Sequence, residues 1–99
     1  MDAEYHRADS QDGDRIDDPS EDALFMMLGD LDDAENTFLR VRPARGEGWS
    51  VRVRVLAPGT YEVDRQDTVR AEHSVTTSTS IHEIAHDLTG WLAGRDRPA

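Results

Sequence analysis

Residues 49–56, WSVRVRVL, constrain the fold of this chain more than any other stretch, because apolar and polar side chains alternate along them. Successive side chains of a β-strand point to opposite faces, so a period of two places Trp49 and three valines on one side. Ser50, Arg52 and Arg54 then lie on the other side. One apolar and one charged face is typical of an antiparallel sheet that is covered on one side only.

Three other stretches have strand-like character: residues 37–42, 60–65 and 69–76. Proline and glycine separate the first three stretches, and Gln66-Asp67 precedes the fourth, which suits tight turns. We therefore predict a four-stranded antiparallel meander. The fourth stretch is predicted to align four residues on its apolar face: Val69, Ala71, His73 and Val75.

A helix is predicted on each side of the meander. Asp18 suits the N-cap of the first helix and Pro19 its first turn. Its apolar residues recur at i, i+3, i+4 and i+7; they are Leu24, Met27, Leu28 and Leu31. Ser80 and Glu83 form a capping box at the start of the second helix. Its apolar stripe comprises Ile81, Ile84, Ala85, Leu88, Trp91 and Leu92.

These elements predict one α+β domain over residues 18–95 in the order α-β-β-β-β-α, with both helices packed on one face of the sheet. Residues 1–22 contain nine acidic residues and two arginines, with little apolar bulk. Such a composition buries too little surface to offset the entropy of ordering. We therefore predict a disordered acidic tail over residues 1–17 and a flexible C-terminus over residues 96–99.

The composition also excludes several classes of function. A net charge of -10 disfavours direct binding of nucleic acid. The chain has no cysteine for thiolate chemistry and no lysine for a Schiff base or a phosphate-binding loop. No apolar run approaches the roughly 20 residues of a membrane span, and the acidic N-terminus is unlike a signal peptide. We expect a cytoplasmic protein without a membrane association or a cofactor.

The sequence His82-Glu83-Ile84-Ala85-His86 matches the H-E-x-x-H pattern of zinc peptidases. Histidines at i and i+4 can bind one metal, and the glutamate between them can act as a general base. However, a catalytic zinc needs a third protein ligand, and no His or Glu follows His86. Glu83 also has a structural role in the capping box. We therefore predict no metal site and no catalytic residue, and keep a zinc-dependent hydrolase as the least favoured alternative.

The polar face of the predicted sheet is the strongest candidate for a functional surface. It would carry Arg40, Arg42 and Arg70 with an exposed aromatic side chain at its end. One interpretation is a solvated face with cross-strand ion pairs of small net value. The other is a docking face, since arginine and aromatic residues are favoured at protein interfaces. The residues predicted to contact a partner are Phe38, Arg52, Arg54, Glu62, Asp64 and Glu72.

The order of elements and several short motifs resemble a family of small actinobacterial immunity proteins from polymorphic toxin systems. The matching pieces are Asn36-Thr37-Phe38-Leu39, then residues 61–65, and the Thr/Ser-rich segment 76–80 before the last helix. The resemblance spans about residues 18–94, and Asp64 replaces the glutamate of the family's strand motif. It implies a non-enzymatic protein that binds and blocks a cognate toxin domain, such as a nuclease or a deaminase.

Acidic side chains of such a protein, including Glu62, Asp64 and Glu72, would then occupy the basic substrate groove of the toxin. The main alternative is a small adaptor that resembles a secretion chaperone or forms a homodimer. A domain of about 80 residues is only marginally stable alone, so a partner or a second copy would stabilise it.

Overall fold

The computed structural model describes residues 5–46 and 48–96. In chain order, these residues form β1 (His6–Ser10), β2 (Arg15–Asp17), α1 (Glu21–Gly29), β3 (Phe38–Pro43), β4 (Trp49–Ala57), β5 (Thr60–Asp67), β6 (Glu72–Ser78) and α2 (Ile81–Asp96). The strands of this part of the chain form one antiparallel sheet in the order β2-β1-β3-β4-β5-β6. The predicted α+β class is confirmed, but the sheet has six strands where four were predicted.

The alternation of β4 sets the apolar face of the sheet. Val51 pairs with Val41 of β3, and Val53 lies between Leu39 of β3 and Val63 of β5. All five side chains are at most 2% exposed. Full burial of each aliphatic side chain contributes about 1.5–3 kcal/mol relative to exposure, so this row of cross-strand contacts is the centre of the core.

Both helices cover this same face, as predicted. The four apolar residues of the predicted α1 stripe are all buried, and α2 contributes Ile84, Ala85, Leu88 and Leu92 to the same cluster. Ser80 caps α2 as predicted, since its Oγ accepts a hydrogen bond from the backbone N–H of Glu83 at 3.2 Å. The other half of the predicted capping box is replaced, because the backbone N–H of Ser80 donates to Oγ of Ser78 at 3.1 Å and not to Glu83. Neither helix within the described ranges is long and apolar enough to cross a membrane.

The predicted start of α1 at Asp18 is wrong. The N-cap is Ser20, whose Oγ accepts a hydrogen bond from the backbone N–H of Ala23 at 3.1 Å. The carboxylate of Asp18 instead accepts hydrogen bonds from the backbone N–H groups of Tyr5 and His6, each at 2.9 Å. Asp18 therefore fastens the start of β1 and not the start of the helix.

The prediction of a disordered tail over residues 1–17 is corrected by β1 and β2, which form a hairpin at one end of the sheet. Residues 1–4 lie outside the described part of the chain. β1 pairs with β3, and Ala8 lies between Ile16 of β2 and Val41 of β3 with no exposed surface. Cross-strand hydrogen bonds, this apolar contact and the ion pair between Arg7 and Asp17 hold the hairpin in place. A low content of apolar residues therefore does not prevent this segment from ordering against a larger sheet.

The predicted faces of the last strand are reversed. β6 begins at Glu72, and its register pairs Val75 with Asp64 and His73 with Gln66. These partners place Val75 and His73 on the side away from the helices, and Val75 is 51% exposed. Val69, which was predicted to lie in the strand, is in the preceding turn and is 82% exposed. The physical reason is that β6 lies at the edge of the sheet, where little of the core can specify its register. The flexible C-terminus predicted over residues 96–99 lies outside the described residues except for Asp96, the final residue of α2.

Candidate binding surface

The side of the sheet opposite the helices, here called the open face, is covered by none of the described elements. Residues that pair across strands point to the same side, so the register identifies its members. They are Arg15, Asp17, Arg7, Asp9, Phe38, Arg40, Arg42, Ser50, Arg52, Arg54, Glu62, Asp64, Gln66, His73, Val75 and Thr77. The open face thus carries six arginines and four carboxylates.

Each of the four carboxylates of the open face is held by a neighbouring strand. Arg7 lies 2.9 Å from Asp17, Arg42 3.2 Å from Asp9, Arg54 2.8 Å from Glu62 and His73 3.0 Å from Asp64. The hydrogen bond from Arg54 holds the pKa of the Glu62 carboxyl below its usual range. Each of these acidic side chains therefore already has an arginine or histidine partner within the sheet.

Arg40 and Arg52 differ from their neighbours. They lie directly opposite each other on β3 and β4. Within the described part of the chain, neither of them makes an ion pair. The guanidinium of Arg40 lies 5.9 Å from the centre of the Phe38 ring, at cation–π distance. Like charges directly opposite each other are unfavourable in a sheet, and the carboxylates opposite these arginines on their other neighbouring strands, Asp9 and Asp64, are paired with Arg42 and His73.

A shallow depression of about 290 Å³ lies around these two arginines. It is lined by Arg40, Arg42, Ser50, Arg52, Asp64 and Gln66. A second depression of about 520 Å³ continues from it towards Arg7 and Trp49, and shares Arg42, Ser50 and Gln66 with the first. Together they form a groove that runs from the centre of the open face to the loop between β3 and β4, with arginine guanidinium groups among its hydrogen-bond donors.

Five of the six predicted contact residues lie on the open face: Phe38, Arg52, Arg54, Glu62 and Asp64. The sixth, Glu72, was expected there and is not. Its cross-strand partner is Asp67, which is 3% exposed, and its carboxylate forms an ion pair with Arg95 of α2 on the helix side of the sheet. Arg70, also expected on the outer face, lies in the turn before β6 and contacts Asp67.

The sequence interpretation missed the contribution of the N-terminal hairpin, which adds Arg7 and Asp9 to the open face. A signal for this hairpin was present in the sequence. Asp12-Gly13 is a turn dipeptide, and Gly13 has φ +99°, which favours glycine. The alternation around it was hidden because the inward positions of β1 are His6, Ala8 and Ser10, which are not strongly apolar.

The two histidines of the H-E-x-x-H motif are exposed. They lie on the side of α2 that is next to α1. The Nδ1 atom of His86 is 3.3 Å from the Glu21 carboxylate. The ring of His82 packs against Phe25, with 4.5 Å between the ring centres. Across residues 5–46 and 48–96, no group of three His, Cys, Asp or Glu side chains is arranged to hold a metal ion. The motif therefore makes contacts between the two helices in this structure.

Comparison with protein-family models, with curated proteins and with solved structures finds no match to the chain.

Proposed function

We propose that this chain is a non-enzymatic, cytoplasmic immunity protein that binds and neutralises a cognate toxin domain through the open face of its sheet. The observation that carries the proposal is the asymmetry of the sheet. Both helices cover one face, while the other presents arginines around a groove. Arginine is enriched among the residues that dominate binding energy at protein interfaces, and an aromatic neighbour such as Phe38 adds to that character.

The size of the open face supports protein binding. Six strands spaced about 4.8 Å apart, with about six residues each at about 3.3 Å per residue, present roughly 600 Å². A stable interface of standard size buries about 800 Å² on each partner. The open face and its bordering loops are therefore large enough for one such interface. The ordered sheet beneath also lowers the entropic cost of binding, because its backbone is already fixed.

The resemblance to immunity proteins supports the class of partner, a toxin domain such as a nuclease or a deaminase. The test is affinity capture of the tagged protein from its native cells, with mass spectrometry of the companions. We expect a near-stoichiometric companion that carries the C-terminal domain of a secreted toxin. The purified companion should then lose its toxic activity when this protein is added. Recovery of the protein alone, or of a companion whose activity is unaffected, would contradict the proposal.

Charge reversal on the open face tests the location of the interface. We expect Arg52→Glu to weaken toxin binding, because Arg52 lines the central groove. The control is Arg45→Glu, which makes the same change of charge at an exposed position in the connection between β3 and β4. Glu72 is a poor choice for such a variant, since its ion pair with Arg95 contributes to folding. Equal toxin binding by both variants would place the interface elsewhere on the surface.

A second candidate is a dimerising adaptor, which resembles a secretion chaperone in its small size. It is favoured by the outer edge of β6, where no other strand in the described part of the chain pairs. Six of its seven residues are exposed. Free sheet edges readily pair with another chain, so two copies could join through β6. Light scattering of the purified protein decides this point: a stable homodimer without a toxin companion favours the adaptor, and a monomer excludes it.

A further inference from the structure

We propose that the open face binds the carboxylates of an acidic segment of a partner protein, with Arg40 and Arg52 as the paired anchors. The inference rests on the proposed function in one respect, since it takes the open face as the docking surface. It goes further because it assigns the contact to positively charged side chains of this protein and negatively charged side chains of the partner. The sequence pointed to acidic side chains that enter a basic groove, whereas the structure points to arginines that receive acidic ones.

The first argument is the local charge. The whole chain has a net charge of -10, yet the open face carries six arginines and four carboxylates. All four carboxylates are engaged by Arg7, Arg42, Arg54 or His73. Among the described residues of this face, the arginines left without an ion pair include Arg40 and Arg52 at its centre. A partner that complements this face must therefore supply negative charge.

The second argument is the cost of the arrangement in the free protein. Two guanidinium groups on directly opposite residues repel each other, which is unfavourable in a sheet. A carboxylate placed between them would relieve this repulsion. Arginine donates two parallel hydrogen bonds to a carboxylate, and such charge-assisted bonds are shorter and stronger than neutral ones. The Phe38 ring beside Arg40 helps to hold that guanidinium in place.

The third argument distinguishes carboxylates from the phosphates of a nucleic acid. A nucleic acid brings a long row of phosphates, and its binding requires an extended basic surface. Here Asp9 and Asp64 flank the central arginines, and the chain as a whole has a net charge of -10. Both features repel a polyanion that extends beyond the groove. A few carboxylates on a short protein segment fit the restricted area of positive charge without that repulsion.

The experiment measures binding of defined probes by fluorescence anisotropy, using the full chain. The probes are a fluorescein-labelled peptide of alternating Glu and Ser, the matched peptide of Gln and Ser, and an oligothymidylate of equal length. We expect the Glu peptide to bind, and its affinity to fall as salt is raised from about 50 to 500 mM. The double variant Arg40→Gln/Arg52→Gln should bind about tenfold or more weakly. The control Arg45→Gln changes an exposed arginine of the β3–β4 connection and should bind as the wild type does.

Two results would overturn the inference: equal binding of the Glu and Gln peptides by the wild type, or unchanged binding of the Glu peptide by the double variant. Tighter binding of the oligothymidylate would assign the face to nucleic acid instead. If the double variant fails to fold, Arg52→Lys keeps the charge and removes the planar fork, and is expected to bind more weakly than the wild type. A captured toxin combined with no binding of acidic peptide refutes only this inference. Binding of acidic peptide without any captured toxin refutes only the proposed function.

Discussion

The guanidinium of Arg95, in the last turn of α2, lies 3.1 Å from the carboxylate of Asp67 at the end of β5. Both side chains are nearly buried, at 8% and 4% exposed. Arg95 also pairs with Glu72 of β6 and lies over the Trp91 ring, 3.5 Å from its centre. One arginine thus joins the end of the last helix to β5 and β6, the last two strands of the sheet. This contact explains why Glu72 points towards the helices.

We predict that Arg95→Met lowers the free energy of unfolding by about 3 kcal/mol, because it leaves the Asp67 carboxylate buried without its main counter-charge. Urea denaturation followed by circular dichroism measures this difference. The control is Arg45→Met, at an exposed position, which should change the free energy of unfolding by less than about 0.5 kcal/mol. Equal stability of the two variants would mean that the contact between Arg95 and Asp67 does not contribute to the folded state in solution.

A much smaller effect is predicted on the open face. Arg52→Gln removes the like-charge contact with Arg40 but also the attraction of Arg52 to Glu62 and Asp64, so it should change the free energy of unfolding by less than about 0.5 kcal/mol. The matched control is Arg54→Gln, two residues along the same strand, which removes a hydrogen-bonded ion pair with Glu62 and should not stabilise. Urea denaturation at low salt measures both variants. A larger loss of stability in Arg52→Gln would show that Arg52 has a favourable contact within its own chain, and would weaken its assignment as a binding residue.

The loop between α1 and β3 provides a prediction on pH. The Asp32 carboxylate accepts hydrogen bonds from the backbone N–H groups of Asn36, Ala34 and Glu35, which lower the pKa of Asp32 from its ordinary value of 3.8. A lowered pKa in the folded state stabilises the fold above the unfolded value, and this contribution is lost as pH falls through the folded value. We therefore expect Asp32→Asn to have a lower Tm than the wild type near neutral pH. The gap should be constant down to about pH 5 and narrow below about pH 4.

The control for this loop is Asp33→Asn, because the Asp33 side chain is exposed and accepts no hydrogen bond from the described residues. Its Tm should follow that of the wild type at every pH. Thermal unfolding by circular dichroism across the pH range is the measurement. A gap for Asp32→Asn that does not change with pH would contradict the role of the ionised carboxylate.

The H-E-x-x-H motif gives a prediction on metal content and stability. We expect the purified protein to hold no stoichiometric zinc, and His82→Ala/His86→Ala to leave the metal content unchanged. The contacts predict different costs for the single variants. His82→Ala removes a ring contact with Phe25 and should cost about 0.5–1.5 kcal/mol. His86→Ala alters a side chain that is 78% exposed and should cost little.

Elemental analysis and urea denaturation together check both parts of this prediction. One zinc ion per chain in the wild type, lost in the double variant, would establish a metal site and restore the hydrolase hypothesis. Equal stabilities of the two single variants would show that the ring contact between His82 and Phe25 is not important in solution.

The sequence predicts an element well where a periodic apolar pattern coincides with burial. Leu24 and Leu28 in α1, and Val51 and Val53 in β4, are buried as their spacing indicates. Prediction from the sequence fails at β1 and β6 for the same physical reason, which is that these strands contain few large apolar residues. β6 offers only Val75 as a large apolar residue, so the pattern could not specify which of its faces is turned to the helices. The ion pair between Glu72 and Arg95 in the last turn of α2 lies on the face of β6 that is turned to the helices.

The open face itself is predicted less completely than the core. Alternation places Arg52, Arg54 and Glu62 on it correctly, since their strands also carry a clear apolar face. However, alternation does not show which charges are paired. Arg40 and Arg52 are opposite each other because of the register between β3 and β4. Asp9 forms an ion pair with Arg42, and it lies on β1, a strand that the alternation did not predict.

The N-terminal hairpin gives the sharpest test of the fold, because the sequence pattern and the structure disagree about it. Ala8 has no exposed surface and is flanked by Ile16 and Val41 on the adjacent strands. Ala8→Asp would bury a carboxylate with no counter-charge among these partners, at an expected cost of several kcal/mol. The matched control is Ala34→Asp, the same substitution at an exposed position in the loop between α1 and β3.

We expect Ala8→Asp to lower Tm strongly and Ala34→Asp to leave it nearly unchanged, as measured by thermal unfolding at the same pH and salt. The two variants have the same composition and net charge, so a difference between them arises from the position alone. Equal Tm values would indicate that residues 6–17 do not join the sheet in solution. In that case β3 would become an exposed sheet edge, and Arg42 would lose Asp9 as its partner. The open face would lose two arginines and two carboxylates together, so its net charge would not change and the argument for an acidic partner does not depend on the hairpin.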